Sequence, residues 1–377
     1  MQRYTFYIKL QSLTYKISKK IRKFAPKSTK MAILYVFNPE HDLALAANLS
    51  NFTSPLAGRK MRHDLGFIPA LWAGDDDYVL VDNVDEAETA FNKIKSELGL
   101  GPKHFVDRHQ LHRLYINKVE PWGWDLALRS FLIRYGVNAV PTEDEIVTIR
   151  ELSHRRQAAK LLNMLDLEGT TGISQEADNI GDIMRLLREY GNIVVKAPWS
   201  SSGRGVRFIN ETIDGYQERW ISNIIDKQGS VMVEPCYNNV KDFGMEFDSD
   251  GDGNVTYLGL SIFDTRNGAY TGNLIATEEQ KLQAMPEELR NKILEVRDRI
   301  CNILGKEFKG KYKGPFGVDM MVVKVAGELL LHPCVEINLR RTMGHVALAI
   351  PPYTDGCKHV MEITKREDDF KVILSQI

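Results

Sequence analysis

The sequence has little cysteine: Cys236, Cys301, Cys334 and Cys357 are the only four in 377 residues, and no two form a CxxC pair. That spacing excludes a zinc ribbon, a thioredoxin-type redox motif and a disulfide scaffold. No apolar run approaches the ~18–20 residues that a spanning helix needs, which excludes an integral membrane protein of that type. Net charge is nearly absent, at −1, so the chain is no globally basic nucleic-acid binder. There is no repeat at the scale of ~20–50 residues and no low-complexity tract. What remains is ordinary globular composition, 43% hydrophobic and 26% charged, long enough for about two to three structural units.

The near-zero charge conceals an asymmetry. Residues 1–30 carry nine Lys or Arg and no Asp or Glu, leaving 40 basic against 50 acidic residues in the remainder. This basic extension lacks the apolar core and small-residue cleavage site of a secretory signal. It reads as an arm for membrane or nucleic acid, as a targeting peptide, or as sequence upstream of a start at Met31, where a strand-like run opens. The break at a methionine favours the last reading, with residues 1–30 outside the fold.

Residues 31–150 alternate strand-like runs (Ile33–Phe37, Tyr78–Val81, Gly136–Pro141) with helical patterns (Asp85–Leu98, Asp125–Tyr135), the α/β signature of a parallel sheet. Asn38-Pro39-Glu40-His41-Asp42 follows the first strand. It reads either as a ligand loop at a strand's carboxyl end or as a turn with a proline stop and an aspartate cap. A helix is expected over Ile149–Leu165 and another, capped by Ser174, over Gln175–Tyr190. From there the pattern is rich in strands: Ile193–Lys196, Val206–Ile209, Val231–Glu234, Asp242–Phe247, Val255–Phe263, Phe316–Val325 and Glu328–Asn338, with Glu278–Leu304 helical. The fold class is therefore α/β plus α+β.

Three apparent motifs fail. Asp248–Gly253 begins like a calcium loop, but its twelfth position is Gly259, so it reads as a hairpin turn. Gly305–Lys311 spells GxxxxGK, but Tyr312 replaces the magnesium-binding hydroxyl and a helix precedes it. His104, His109 and His112 lack metal-site spacing.

Three other segments form one constellation. Ile193–Lys196 is a strand ending in lysine, and Ser200, Ser201, Ser202, Gly203, Arg204 and Gly205 follow as a loop before the next strand. Glycine lets backbone N–H groups approach phosphate oxygens, serines add donors, and Lys196 and Arg204 add charge. Val231–Glu234 is a buried-type strand ending in an acid before Pro235. Gly317–Val323 and Leu329–Asn338 form a hairpin turning at Ala326-Gly327. In that register Asp319 opposes position 334 and has Glu336 as its diagonal neighbour, unless Pro333 bulges the strand. Asp319, Glu336 and Asn338 then share a face with two carboxylates and an amide oxygen, a donor set suited to magnesium. Arg340 and Arg341 follow, suited to phosphate or carboxylate oxygens.

In this order, over about residues 150–345, these motifs resemble the ATP-grasp superfamily, whose E-x-N-x-R signature is close to Glu336–Arg340. The resemblance implies a Rossmann-like pre-ATP-grasp domain at 31–150 and an ATP-grasp domain of two α+β subdomains at 151–350. The lid would span about 151–228, and a C-terminal segment would follow at 351–377. It implies that Lys196 contacts ATP phosphates, that Ser200–Gly205 closes over them, that Glu234 lines the adenine pocket and that Asp242 meets the ribose. Asp319, Glu336 and Asn338 would hold Mg2+ or Mn2+, and Arg340 would stabilise the transferred phosphoryl group. Arg155 stands where members often have lysine, Leu339 where many have proline, and Arg341 is an added charge.

The activity implied is an ADP-forming carboxylate–amine ligase, cytoplasmic, with small-molecule or peptide-like substrates. An ATP-dependent kinase and a non-catalytic nucleotide-binding protein are the alternatives. Arg266 and His345 are the substrate-facing expectations.

Overall fold

The computed structural model describes residues 32–200, 205–266, 269–353 and 357–376. They build three sheets in chain order. The first is parallel, with order β3-β2-β1-β4, from β1 (Ile33–Val36), β2 (Tyr78–Leu80), β3 (His104–Val106) and β4 (Lys118–Pro121). Leu34, Val36, Val79 and Val119 are buried, as expected of short parallel strands covered by helices. The connections carry α1 (His41–Ala47), α2 (Leu56–Leu65) and α3 (Val84–Lys95). Asn83 caps α3 by accepting from the Glu86 N–H, with acids in the first turn and lysines in the last.

The strand expected at 136–141 does not form. The chain leaves α4 (Leu126–Arg134) at Gly136, and Val137 is buried in the core beside β1 without pairing. The edge positions belong instead to β3 and β4, too short and too polar to stand out in the sequence.

The helix expected over Ile149–Leu165 is two: α5 (Glu143–Leu152), opened by a Thr142–Glu145 capping box, and α6 (Arg156–Leu165). Between them Ser153 bonds back to the Ile149 carbonyl, and the buried His154 accepts from the Arg156 N–H. Gln175–Ala177 is not helical either; it is β5, antiparallel to β8 (Val231–Pro235). Helix α7 (Ile180–Tyr190) begins later because Asn179, not Ser174, caps it.

The second sheet has order β5-β8-β6-β7, with β6 (Asn192–Lys196) and β7 (Val206–Asn210). Helix α7 and α8 (Gly215–Gln228) cover one face through Ile183, Leu186, Ile193, Val195, Ile221 and Val233. Strand β8 is an inner strand of this sheet and runs to Pro235. Helix α6 packs instead with the core of the third sheet.

That third sheet has seven strands in order β13-β12-β9-β10-β11-β14-β15. They are β9 (Asn239–Ser249), β10 (Val255–Arg266), β11 (Ala269–Ile275), β12 (Gly314–Val325), β13 (Glu328–Asn338), β14 (His359–Arg366) and β15 (Asp369–Gln376). Helix α9 (Glu278–Gln283) and the long α10 (Arg290–Phe308) lie along it. Phe243, Met245, Phe247, Phe316, Val318, Ile293 and Ile300 fill the interior. The opposite alternation of β9, β12 and β13 carries Glu246, Asp319, Glu336 and Asn338.

A C-terminal segment was expected at 351–377. It forms β14 and β15, which complete the sheet and reach the N-terminal unit: Lys60 bridges Asp64 and Asp369 at 2.7 Å each, and the Phe370 N–H donates to Asp64. Helix α11 (Met343–Leu348) sits in the same shared core. No helix among the described residues is long and apolar enough to cross a membrane.

Candidate nucleotide and metal site

Two sheet faces meet to form the site. The β12–β13 hairpin turns at Ala326-Gly327 and pairs Val325 with Glu328 and Met321 with His332, as expected. Between Met321 and Asp319 the register shifts at the Pro333 segment, and Asp319 opposes Glu336 rather than position 334. The bulge turns a diagonal pair into a direct one, with side chains closer than the flat register allows. The Asn338 side-chain N–H donates to Asp319 at 2.9 Å.

Burial, and then the charges of Glu336 and Glu246, push the Asp319 carboxyl up to about 7; Asn338 and Arg340 only partly counter them. Among the described residues no three His, Cys, Asp or Glu side chains cluster. The donor set is two carboxylates and an amide, and converging like charge of this kind is neutralised by a hard divalent cation. The residues fit magnesium.

On the small sheet, Val195 and Val233 face the helices, so Lys196 and Glu234 share the other face. Their side chains are buried and 2.5 Å apart. Ser174 also donates to Glu234, at 3.1 Å. Glu234, expected to line an adenine pocket, is thus first the partner of Lys196.

Arg155 joins the two sheets. One guanidinium nitrogen donates to Glu336 at 2.8 Å; another donates to Ser200 Oγ at 2.8 Å and to the Ala197 carbonyl. Gly205 closes the base of the loop, where a Cβ would lie 2.2 Å from Ser200. Ser201, Ser202, Gly203 and Arg204 lie outside the described residues, as does the side chain of Arg266. A narrow cleft lined by Asp42, Ser200, Glu336 and Asn338 separates the sheets.

The remaining expectations fall in different places. Asp242 is half-buried on β9 and accepts from Asn239 and Thr265. Arg340 is clamped by Asp42, while Arg341 points at the N-terminal unit, pairing with Glu120 at 3.0 Å over the Trp72 ring. Arg341 thus fastens the two units together. His345, expected to face a substrate, is buried, forms a capping box with Thr342 and meets Glu246 at 2.9 Å.

Two residues were not anticipated. Asp42, read only as part of the Asn38–Asp42 segment and not as a partner of Arg340, lies in the first turn of α1. His332 is fully buried, edge-on to Tyr237, and neither ring nitrogen has a hydrogen-bond partner among the described residues. Burial, then the charge of Lys196, pulls it down to about 3, so it is neutral. Gly172 makes room for it, since a Cβ there would lie 2.9 Å from the ring. Its place in an apolar β13 run concealed it.

No family model matches the chain, and no curated protein matches it. Among solved structures it is similar to a biotin carboxylase–β,γ-ATP complex from Campylobacter jejuni. That likeness has a TM-score of 0.51 at 13% identity, covering 88% of this chain and 75% of that one. An N5-carboxyaminoimidazole synthetase from Staphylococcus aureus with bound ADP gives 0.49 at 13%, covering 90% and 84%. An ATP-grasp superfamily protein from Archaeoglobus fulgidus gives 0.46 at 13%, covering 92% and 99%. The likeness is one of fold: the chain shares the fold of that biotin carboxylase.

Proposed function

We propose that the chain is an ATP- and magnesium-dependent ligase that activates a carboxylate for attack by an amine. The observation that carries this reading is the Arg155 guanidinium. It ties the base of the Ser200–Gly205 loop to the carboxylate pair of the hairpin, so cations and carboxylates face each other across one cleft. Phosphoryl transfer needs that arrangement: cations at the phosphate oxygens, an anionic metal seat and a loop that excludes water.

Lys196 and Arg155 would hold the ATP phosphates, each trading its carboxylate partner for phosphate oxygen. Asp319, Glu336 and the Asn338 amide oxygen would hold Mg2+, which when bound neutralises charge on the transferred phosphoryl group. Arg340, fixed by Asp42, would stabilise that group as the substrate carboxylate attacks the γ-phosphorus and ADP leaves. The amine then attacks the acyl carbon and phosphate departs, while the loop keeps water out.

Calorimetric titration of ATP into the full chain, with and without magnesium, tests the reading beside Glu336→Ala. Magnesium-dependent binding that the substitution weakens at least tenfold supports it. Binding indifferent to both would sink it. Paired carboxylates and amines screened for ADP release then identify the substrates, and a phosphorylated product without joining would make it a kinase.

A further inference from the structure

A wider opening lies outside this cleft, at the carboxyl ends of β1, β2 and β3. It is a cavity of about 540 Å3, the size of an ordinary small-molecule site. Open α/β sheets bind ligands at this end.

Glu40 lines it and is 8% exposed. One carboxylate oxygen accepts from Arg62 at 2.6 Å; the other is buried and has no hydrogen-bond partner among the described residues. The neighbouring polar groups are already engaged. Asp125 accepts from Asn38, His41 and the Leu128 N–H, and Asn38 donates to the Gly123 carbonyl. Glu40 is therefore the acceptor still to be satisfied, and a buried carboxylate oxygen calls for a donor, best a cationic one.

Asp82, Asp107 and Asp125 also line the cavity, and two arginines bring the opposite charge. Arg59 and Arg108 are exposed there. Among the described residues Arg59 spends one guanidinium nitrogen on the Ser54 carbonyl and Arg108 donates from Nε alone, to His109, so both keep N–H groups for an anion. Phe37, Phe52 and Phe131 line the cavity as well.

We propose that this cavity binds a small zwitterion of amino-acid type, with its ammonium on Glu40 and its carboxylate on Arg108 and Arg59. The site is separate from the nucleotide cleft and stands without the ligase reading.

The test uses the full chain without ATP or magnesium. The standard amino acids, β-alanine and γ-aminobutyrate are screened singly by saturation-transfer NMR, with the N-acetylated form of each binder as control. At least one amino acid should bind. Arg108→Ala, at an exposed position that leaves folding intact, should weaken it tenfold or more, and Glu40→Gln should do the same. N-acetylation should abolish binding, while magnesium-ATP titration of Arg108→Ala should match the wild type. No binder in the panel would overturn the proposal. So would binding unmoved by Arg108→Ala, or retained by the N-acetylated forms. Failure of ATP binding in the parallel titration would count against the ligase reading alone.

Discussion

Arg340 and Asp42 lie 298 positions apart and meet in a bidentate pair, with Nε and Nη2 each 2.8 Å from a carboxylate oxygen. Burial alone would raise the Asp42 carboxyl, but the charge and hydrogen bonds of Arg340 hold it below the ordinary range. An arginine two residues past the end of β13 is thus positioned by the first turn of α1, which follows the first strand of a different sheet.

Asp42→Asn should therefore act on turnover through Arg340. Displacing a guanidinium by about 1 Å costs on the order of 100-fold in rate. We expect kcat for ADP release to fall by roughly that factor, with the KM for ATP changed far less. Steady-state kinetics with the identified substrates would read the split, and an equal loss in both constants would assign Asp42 to ground-state binding.

The Asp319 carboxyl should make cation binding depend on pH. Its folded value, about 7, lies above the ordinary carboxylate value near 4. The cation-free fold therefore binds this proton more readily than the unfolded chain. Its stability contribution is fully present below about pH 4 and is lost as pH rises to 7. Magnesium must displace the proton, so its affinity should fall about tenfold per pH unit below 7. Asp319→Asn should remove both the pH-dependent loss and the magnesium effect on melting temperature, read in thermal melts at several pH values.

Glu234 is the buried partner of Lys196. Glu234→Ala would strand an ammonium whose side chain is only 9% exposed, which costs about 3–5 kcal/mol. A urea denaturation curve should show that loss. Added magnesium-ATP should recover more stability in the variant than in wild type, because phosphate replaces the missing carboxylate.

His332 holds two ring nitrogens, unpaired among the described residues, in the interior near the charge of Lys196. His332→Leu should raise the stability of the nucleotide-free protein by about 1–3 kcal/mol, the usual cost of an unsatisfied buried polar group. If its nitrogens meet the nucleotide, as their unpaired state between the two sheets suggests, ATP affinity should fall about tenfold. Denaturation and calorimetry on one variant would read both effects, and a stabilised variant with unchanged affinity would make His332 purely structural.

The sequence and the structure agree where local pattern governs. The strand Glu328–Asn338 is read with its observed ends, because alternation and the Ala326-Gly327 turn are local signals. Its register is not, because the bulge at Pro333 depends on β12. Strands β3 and β4 have three and four residues, too few to show a period. The start of α7 was misplaced because two side chains, Ser174 and Asn179, could each cap it. Lys196, Glu234 and the Asp319–Glu336 pair could be named from strand ends and shared faces. The partners of Arg340, Arg341 and His345 could not, since each is fixed by charge brought from a distant segment.

Strands β14 and β15 set the order in which the molecule can be finished. The core around Phe67 and Ile68 includes Met361 and packs against Phe370 and Leu374. On the ribosome, the first sheet must therefore wait, partly uncovered, until nearly the whole chain has emerged. A nascent chain stalled before residue 359 would expose that apolar surface, making it a substrate for chaperones rather than a free-standing first domain.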